Sequence, residues 1–296
     1  MTQAICEALV NFAATMFDIY FGFVSYSTDN SYITGAFSTL FGTTDVWNMV
    51  RDVHQSVVVP LAESLLALFM LIQLVKISQR MDATGTLPAV KDIVMLAVFY
   101  VIFHWLISNS LDIVSAIFDE FNKMAVSLGS PTTAGGFKAM LDTDNLTDNM
   151  SIGSCFALAF FSILSVAVGV IAFVVTIVVA AARAVQLYVM AAFSPVPLAL
   201  LGFDETRQMG IGFLKNFCAA ALAGAIIMFL LMAYPLILTS TISATGADHA
   251  LDFTDLITGQ ANADAFMGLL TFVGISLLLV MGLVKSGSWA KDILGG

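Results

Sequence analysis

The sequence predicts an all-α, polytopic membrane protein. Three observations carry this. Residues Cys155 to Ala182 form a run of 28 without a charge, whereas a hydrocarbon slab of ~30 Å needs only about 20 helical residues. Apolar residues make up 59% of the 296-residue chain and charged residues 11%, against about 25% charged in soluble domains. The mean hydropathy is +0.95. The expected architecture is about five transmembrane helices, a proline-broken re-entrant segment and an N-terminal amphipathic helix.

Residues 1–24 are apolar but carry Glu7 and Asp18, so they read as an amphipathic or interfacial helix rather than a clean span. They contain no Lys or Arg, hence no basic leader of a secretory signal. Residues 25–47 have the Ser, Thr, Gly, Asn and Asp content of a loop. The first span is expected over Ser56–Val75, containing Pro60 and Glu63 and ending in Lys76 and Arg80. A second is expected over 93–111, with an amphipathic continuation to about Leu128. A polar loop, 129–152, leads to the third span, 153–182.

Residues 184–203 read as the broken element. Pro195 and Pro197 remove two backbone donors and are expected to bar regular helix. Irregular backbone at membrane depth survives only against protein or water. The fourth span is expected over 213–238, with a kink near Pro235. An acidic loop, 239–264, and a fifth span, 265–284, follow. The expected division is an extracytoplasmic region 1–55, a membrane domain 56–285 and a cytoplasmic tail 286–296.

Orientation follows from the cations. Lys76, Arg80, Lys91, Arg183, Arg207, Lys215, Lys285 and Lys291 fall on one side of a five-span chain. Arg51, Lys123 and Lys138 fall on the other. The positive-inside tendency places the eight in the cytoplasm. The N-terminus is then outside the cytoplasmic membrane and the C-terminus inside. This needs 184–203 to enter and leave on the cytoplasmic side.

Candidate functional residues are few. An intramembrane carboxylate costs at least ~2.5 kcal/mol at the bilayer centre, so Glu63 either pairs with a cation, lines a polar path, points outward from its place about seven residues inside the span, or is protonated and hydrogen-bonded between helices. Arg183 either snorkels to the interface or bonds carbonyls freed near Pro195. His54 and His104 read as packing residues. The stretch Ala219 to Ala225 includes Ala220 and Gly224, and the fifth span holds Gly268 and Gly274. Small residues let helix backbones approach closely in lipid, so these four positions are candidates for helix packing or oligomer contact. Asp248, Asp252 and Asp255 belong to an acidic outer face that repels phosphates and suits a basic protein partner, such as a stalk or pilus-like subunit. The three cysteines have no metal or disulfide spacing and read as small packing residues. No nucleophile elbow, HExxH, Walker A or dinucleotide fingerprint occurs. Neither an enzyme nor a cofactor is expected.

The stretch from Ala182 through Phe193-Ser-Pro-Val-Pro-Leu198 to Gly202, then Gly210–Asn216, resembles the TrbL family. These are the polytopic, VirB-six-like subunits of conjugative type IV secretion systems. Val57–Ala62 and Ser108–Asp119 share the likeness, the latter with members from integrative conjugative elements of Gram-positive bacteria. The likeness spans roughly residues 48–238. It implies a non-catalytic channel or scaffold for DNA and protein transfer. It also implies a homo-oligomeric ring, taken as five copies, beside an ATPase, an extracellular stalk, membrane lipids and transiting DNA. The alternative is a small-molecule or ion transporter, which should show paired broken helices; here one broken segment is expected.

Overall fold

The computed structural model describes residues 2–28, 31–84, 88–128, 152–203, 205–244 and 263–295. All its regular structure is helical, with no strand among those residues. In chain order the helices are α1 (Thr2–Thr28), α2 (Ser31–Thr34), α3 (Asp45–Val53), α4 (Val59–Thr84), α5 (Pro88–Ser108), α6 (Ser110–Leu128), α7 (Ile152–Ala192), α8 (Pro195–Leu200), α9 (Arg207–Ala244) and α10 (Ala263–Ile293). Five described stretches are long and apolar enough to cross a bilayer: Asp45–Gln79, Lys91–Ser108, Ser162–Ala192, Arg207–Tyr234 and Val273–Ile293. The chain is therefore an all-α polytopic membrane protein, as its composition predicts.

The boundaries differ from expectation at four places, each for a local reason. The first span begins at Asp45 rather than Ser56, because α3 runs into α4 through one π turn, His54–Val58. Pro60 follows that turn. Proline lacks an N–H and its ring collides with the carbonyl four residues back; a wider turn accommodates it. Before α3, Gly42 takes φ 76°, a left-handed conformation that costs glycine little.

The second difference is the segment 184–203. Its first nine residues continue α7, which is 41 residues long. After Phe193 and Ser194 the chain enters α8, with Pro195 at its first position and Pro197 at its third. The first turn of a helix has no use for those N–H groups. The prolines therefore start a short helix instead of preventing one. Third, the second span ends at Ser108 rather than 111, because Asn109 is a turn residue between α5 and α6. Fourth, most of the expected tail is helical, since α10 continues to Ile293, and Lys215 Nζ donates to the Gly295 carbonyl at 3.1 Å.

Packing groups the chain into two compact units that are not sequential. One comprises residues 1–34, 124–181 and 225–286; the other comprises 35–123, 182–224 and 287–296. In the first unit, α1 buries Cys6, Val10, Ala13 and Tyr20, spaced four, three and seven apart, so that they share one helix face. That face lies along α7. Cys6 is disulfide-bonded to Cys155 with Cα atoms 5.4 Å apart, Tyr20 lies over Gly169, and the Phe23 and Phe173 rings are 5.4 Å apart. The partner numbers differ by 149, 149 and 150, so α1 and α7 run parallel and in step. The disulfide corrects the expectation that these cysteines are mere packing residues. Cys218 is free. Further along, the hydroxyls of Tyr20, Tyr234 and Ser276 meet, with Tyr234 and Ser276 2.8 Å apart.

In the second unit, α8 packs between α4 and α5. Ala62, Leu66, Ile107, Ala199 and Phe203 form its buried cluster, and the Phe69 and Phe203 rings lie 4.7 Å apart. The same unit holds an aromatic group around Phe37. Its ring contacts Trp47, Phe118 and Tyr188, and its carbonyl accepts from Tyr188 Oη at 2.7 Å.

Candidate functional site

Arg183 lies nine residues before the end of α7 and is 6% exposed. Its neighbours one turn away, Ala180 and Leu187, are also buried, so the side chain leaves the helix on its packed face. Nε donates to the Ala220 carbonyl at 2.7 Å and Nη2 to the Ala221 carbonyl at 2.9 Å. A backbone carbonyl has two lone pairs, so both can serve the ladder of α9 and the guanidinium together. Charged hydrogen bonds of this kind are worth about 1.5–3 kcal/mol each, which offsets part of the several kcal/mol that burying a cation costs. The Phe118 ring lies 5.9 Å from the guanidinium carbon, adding a weak cation–π attraction. No carboxylate pairs with Arg183 among the described residues, and its Nη1 has no hydrogen-bond partner.

Gly224 completes this site. A side chain there would occupy the place of the guanidinium. Glycine thus opens a notch on α9 directly beside the two accepting carbonyls. Arg183 neither snorkels nor reaches the backbone near Pro195; it crosses to α9. Ala220 and Gly224 face the interior of their own chain here.

Glu63 and His104 form a second polar feature. Glu63 Oε1 is 3.4 Å from His104 Nδ1, with the side chains 41% and 49% exposed respectively. Tyr100 stacks on His104 at 6.1 Å. The pair joins α4 to α5, within two of the candidate spans. The surrounding surface is apolar, with Leu61, Val101 and Trp105 all exposed. His54 has a different role: it is buried, and its Nε2 lies 2.8 Å from Ser110 Oγ.

Pro195 is buried at the start of α8. A side chain at Gly210, in the first turn of α9, would strike the Pro197 carbonyl and Leu201. The two sequence pieces around the prolines and Gly210 therefore belong to one close contact. Gly274 has open space at its Cβ position. Gly268 lies in α10. Asp248, Asp252 and Asp255 lie outside the described residues.

Sequence reasoning missed the Cys6–Cys155 bond and the Tyr20–Tyr234–Ser276 cluster. The spacing of Cys6, Val10, Ala13 and Tyr20 was the available signal that α1 has a packed face. Nothing local named its partner.

Comparison with known proteins agrees with this architecture. Residues 39–195, more than half of the chain, match the family described as TrbL/VirB6 plasmid conjugal transfer like protein. The match holds Glu63, His104, Arg183 and Pro195 but stops before Ala220 and Gly224. No curated protein and no solved structure gives a match. With five helices able to span a bilayer and a family match over most of the second unit's helices, the chain belongs to the TrbL/VirB6 plasmid conjugal transfer-like family and is an inner-membrane component of a conjugal transfer, type IV secretion apparatus.

Proposed function

We propose that the chain is a channel or scaffold subunit that helps form the path for DNA and protein across the cytoplasmic membrane. The N-terminus is outside and the C-terminus inside, as the cation distribution favours. The observation that carries the reading is the Glu63–His104 pair. It sits at intramembrane positions, yet the single chain leaves it about half open. Hydrocarbon offers such a pair no hydrogen-bonding partner. Water in a path, or a polar group of another subunit, does. Replacing both residues (Glu63→Ala with His104→Ala) is expected to leave membrane insertion intact and lower conjugative transfer at least roughly tenfold, the scale of a lost hydrogen bond of ~1.4 kcal/mol. Wild-type transfer by that variant would overturn the reading.

Copies of the subunit are proposed to form a closed ring, five by family resemblance, beside the transfer ATPase. Repeated heterologous contacts close in this way, and the exposed backbone at Gly274 offers a close-approach position. Mass measurement of the particle in mild detergent tests this; a stable monomer would contradict it. The outer loops 129–152 and 239–264 carry seven aspartates against Lys138. They are proposed to dock a basic extracellular stalk or pilus-like protein. Changing Asp248, Asp252 and Asp255 together to Asn should weaken its capture and flatten the salt dependence. Crosslinks from these loops to the DNA strand, with no protein nearby, would count against that docking role.

A further inference from the structure

We propose that the Cys6–Cys155 bond is made on the extracytoplasmic side of the membrane by an external disulfide-bearing oxidant, and that it is the maturation step that fastens α1 along α7. This rests on the orientation proposed above and adds to it a covalent site.

Four observations carry it. The two cysteines are buried against each other, 3% and 0% exposed, with Cα atoms 5.4 Å apart, inside the range that native disulfides occupy. The near-constant offset of the Cys6–Cys155, Tyr20–Gly169 and Phe23–Phe173 pairs makes the bond the end of a continuous parallel helix contact. Cys6 lies near the N-terminus, and Cys155 lies three residues from the 129–152 loop. The cation count puts both of those regions outside. Cytosolic thiols are held reduced, whereas the extracytoplasmic side permits disulfides. The charge pattern and the cysteine pair are unrelated features, and they point to the same side.

The chemistry balances through thiol–disulfide exchange. One cysteine, as thiolate, attacks the donor's disulfide and forms a mixed disulfide, releasing one donor thiol. The second cysteine, as thiolate, then attacks the mixed bond and releases the other. The chain loses two protons and two electrons, and the donor gains them as two thiols. Because both sulfurs are enclosed once α1 is seated, the exchange must precede or accompany docking of α1. Cys218 lies in α9, in the other compact unit, and stays a thiol.

The test counts thiols in the unaltered protein. Cells are treated with a membrane-permeant alkylating reagent before lysis, and the chain is then denatured and tagged with and without reduction. One alkylated thiol before reduction and three after it are expected, with a peptide linking Cys6 to Cys155 by mass spectrometry. Three alkylated thiols before reduction would overturn the proposal. As a consequence, Cys6→Ser should speed hydrogen exchange in the first half of α1 by roughly tenfold or more, since removing a native crosslink releases the chain it constrained. Unchanged exchange would show that the bond does not fasten α1. Orientation is read separately, in a chain with all three cysteines changed to serine. Single cysteines at Gly85, Asp144, Asp255 and Gly296 are probed on intact cells with an impermeant thiol reagent. Labelling at 144 and 255 alone supports the orientation. Labelling at 85 and 296 alone would overturn both the orientation and the extracytoplasmic site, even if the thiol count still showed the bond.

Discussion

Substituting Gly224 with leucine is expected to cost about 3–5 kcal/mol, the range found when a buried charge loses its partner. The leucine would fill the notch that the Arg183 guanidinium occupies. Arg183 would then lose its bonds to the Ala220 and Ala221 carbonyls while remaining enclosed on its other sides. Thermal unfolding in detergent should show the loss, and transfer should fall with the amount of folded protein. The decisive comparison is the double variant. Arg183→Ala alone removes two charged hydrogen bonds and leaves a void, and should cost about 2–4 kcal/mol. Adding it to Gly224→Leu removes the displaced cation and lets the leucine use the void. The double variant is therefore expected to be more stable than Gly224→Leu alone, a coupling of about 1–3 kcal/mol. Simple additivity would mean that Gly224 acts elsewhere, at a contact between subunits.

The second large effect is expected at Tyr20. Its ring is 1% exposed and covers Gly169. Truncation of a buried aromatic to alanine costs about 3–5 kcal/mol, so Tyr20→Ala should detach the middle of α1 from α7. Tyr20→Phe should cost only about 1 kcal/mol. It removes one hydroxyl, and Tyr234 and Ser276 remain 2.8 Å apart and bonded to each other. Equal losses for the two variants would show that the hydroxyl cluster, not the packed ring, holds the helix.

Much of the fold was legible because bilayer thickness is a length that a local sequence window can be measured against. Ser56–Val75, 93–111, 153–182, 213–238 and 265–284 each come close to that length; one described helix covers each of the last three, the first enters α4 through the π turn, and the second is cut at Asn109 between α5 and α6. Pro195 and Pro197 were misread for an equally local reason. The rule that proline breaks helices holds in the interior and lapses in the first turn, and position relative to a helix start depends on where α7 stops.

The candidate site was half legible. Arg183 and Glu63 stand out in any apolar sequence, because charge within a span is expensive wherever it points. Their partners do not stand out. Ala220 and Ala221 contribute only backbone carbonyls, which every residue has. Gly224 looked like a generic close-packing position, and only the arriving guanidinium gives it a specific task.

By itself, the sequence determined the class, the number of spans, the side preferred by the cations and the family likeness. The class and the spans follow from composition and apolar runs, and the side from the placement of the charges; the likeness rests on matching residues such as Phe193–Leu198 and Gly210–Asn216. Tertiary structure alone decided that α1 lies along α7, that Cys6 meets Cys155, and that Arg183 enters the notch at Gly224. These contacts join residues up to 150 positions apart. They depend on complementary shape between two helix faces, and neither face carries that information without the other.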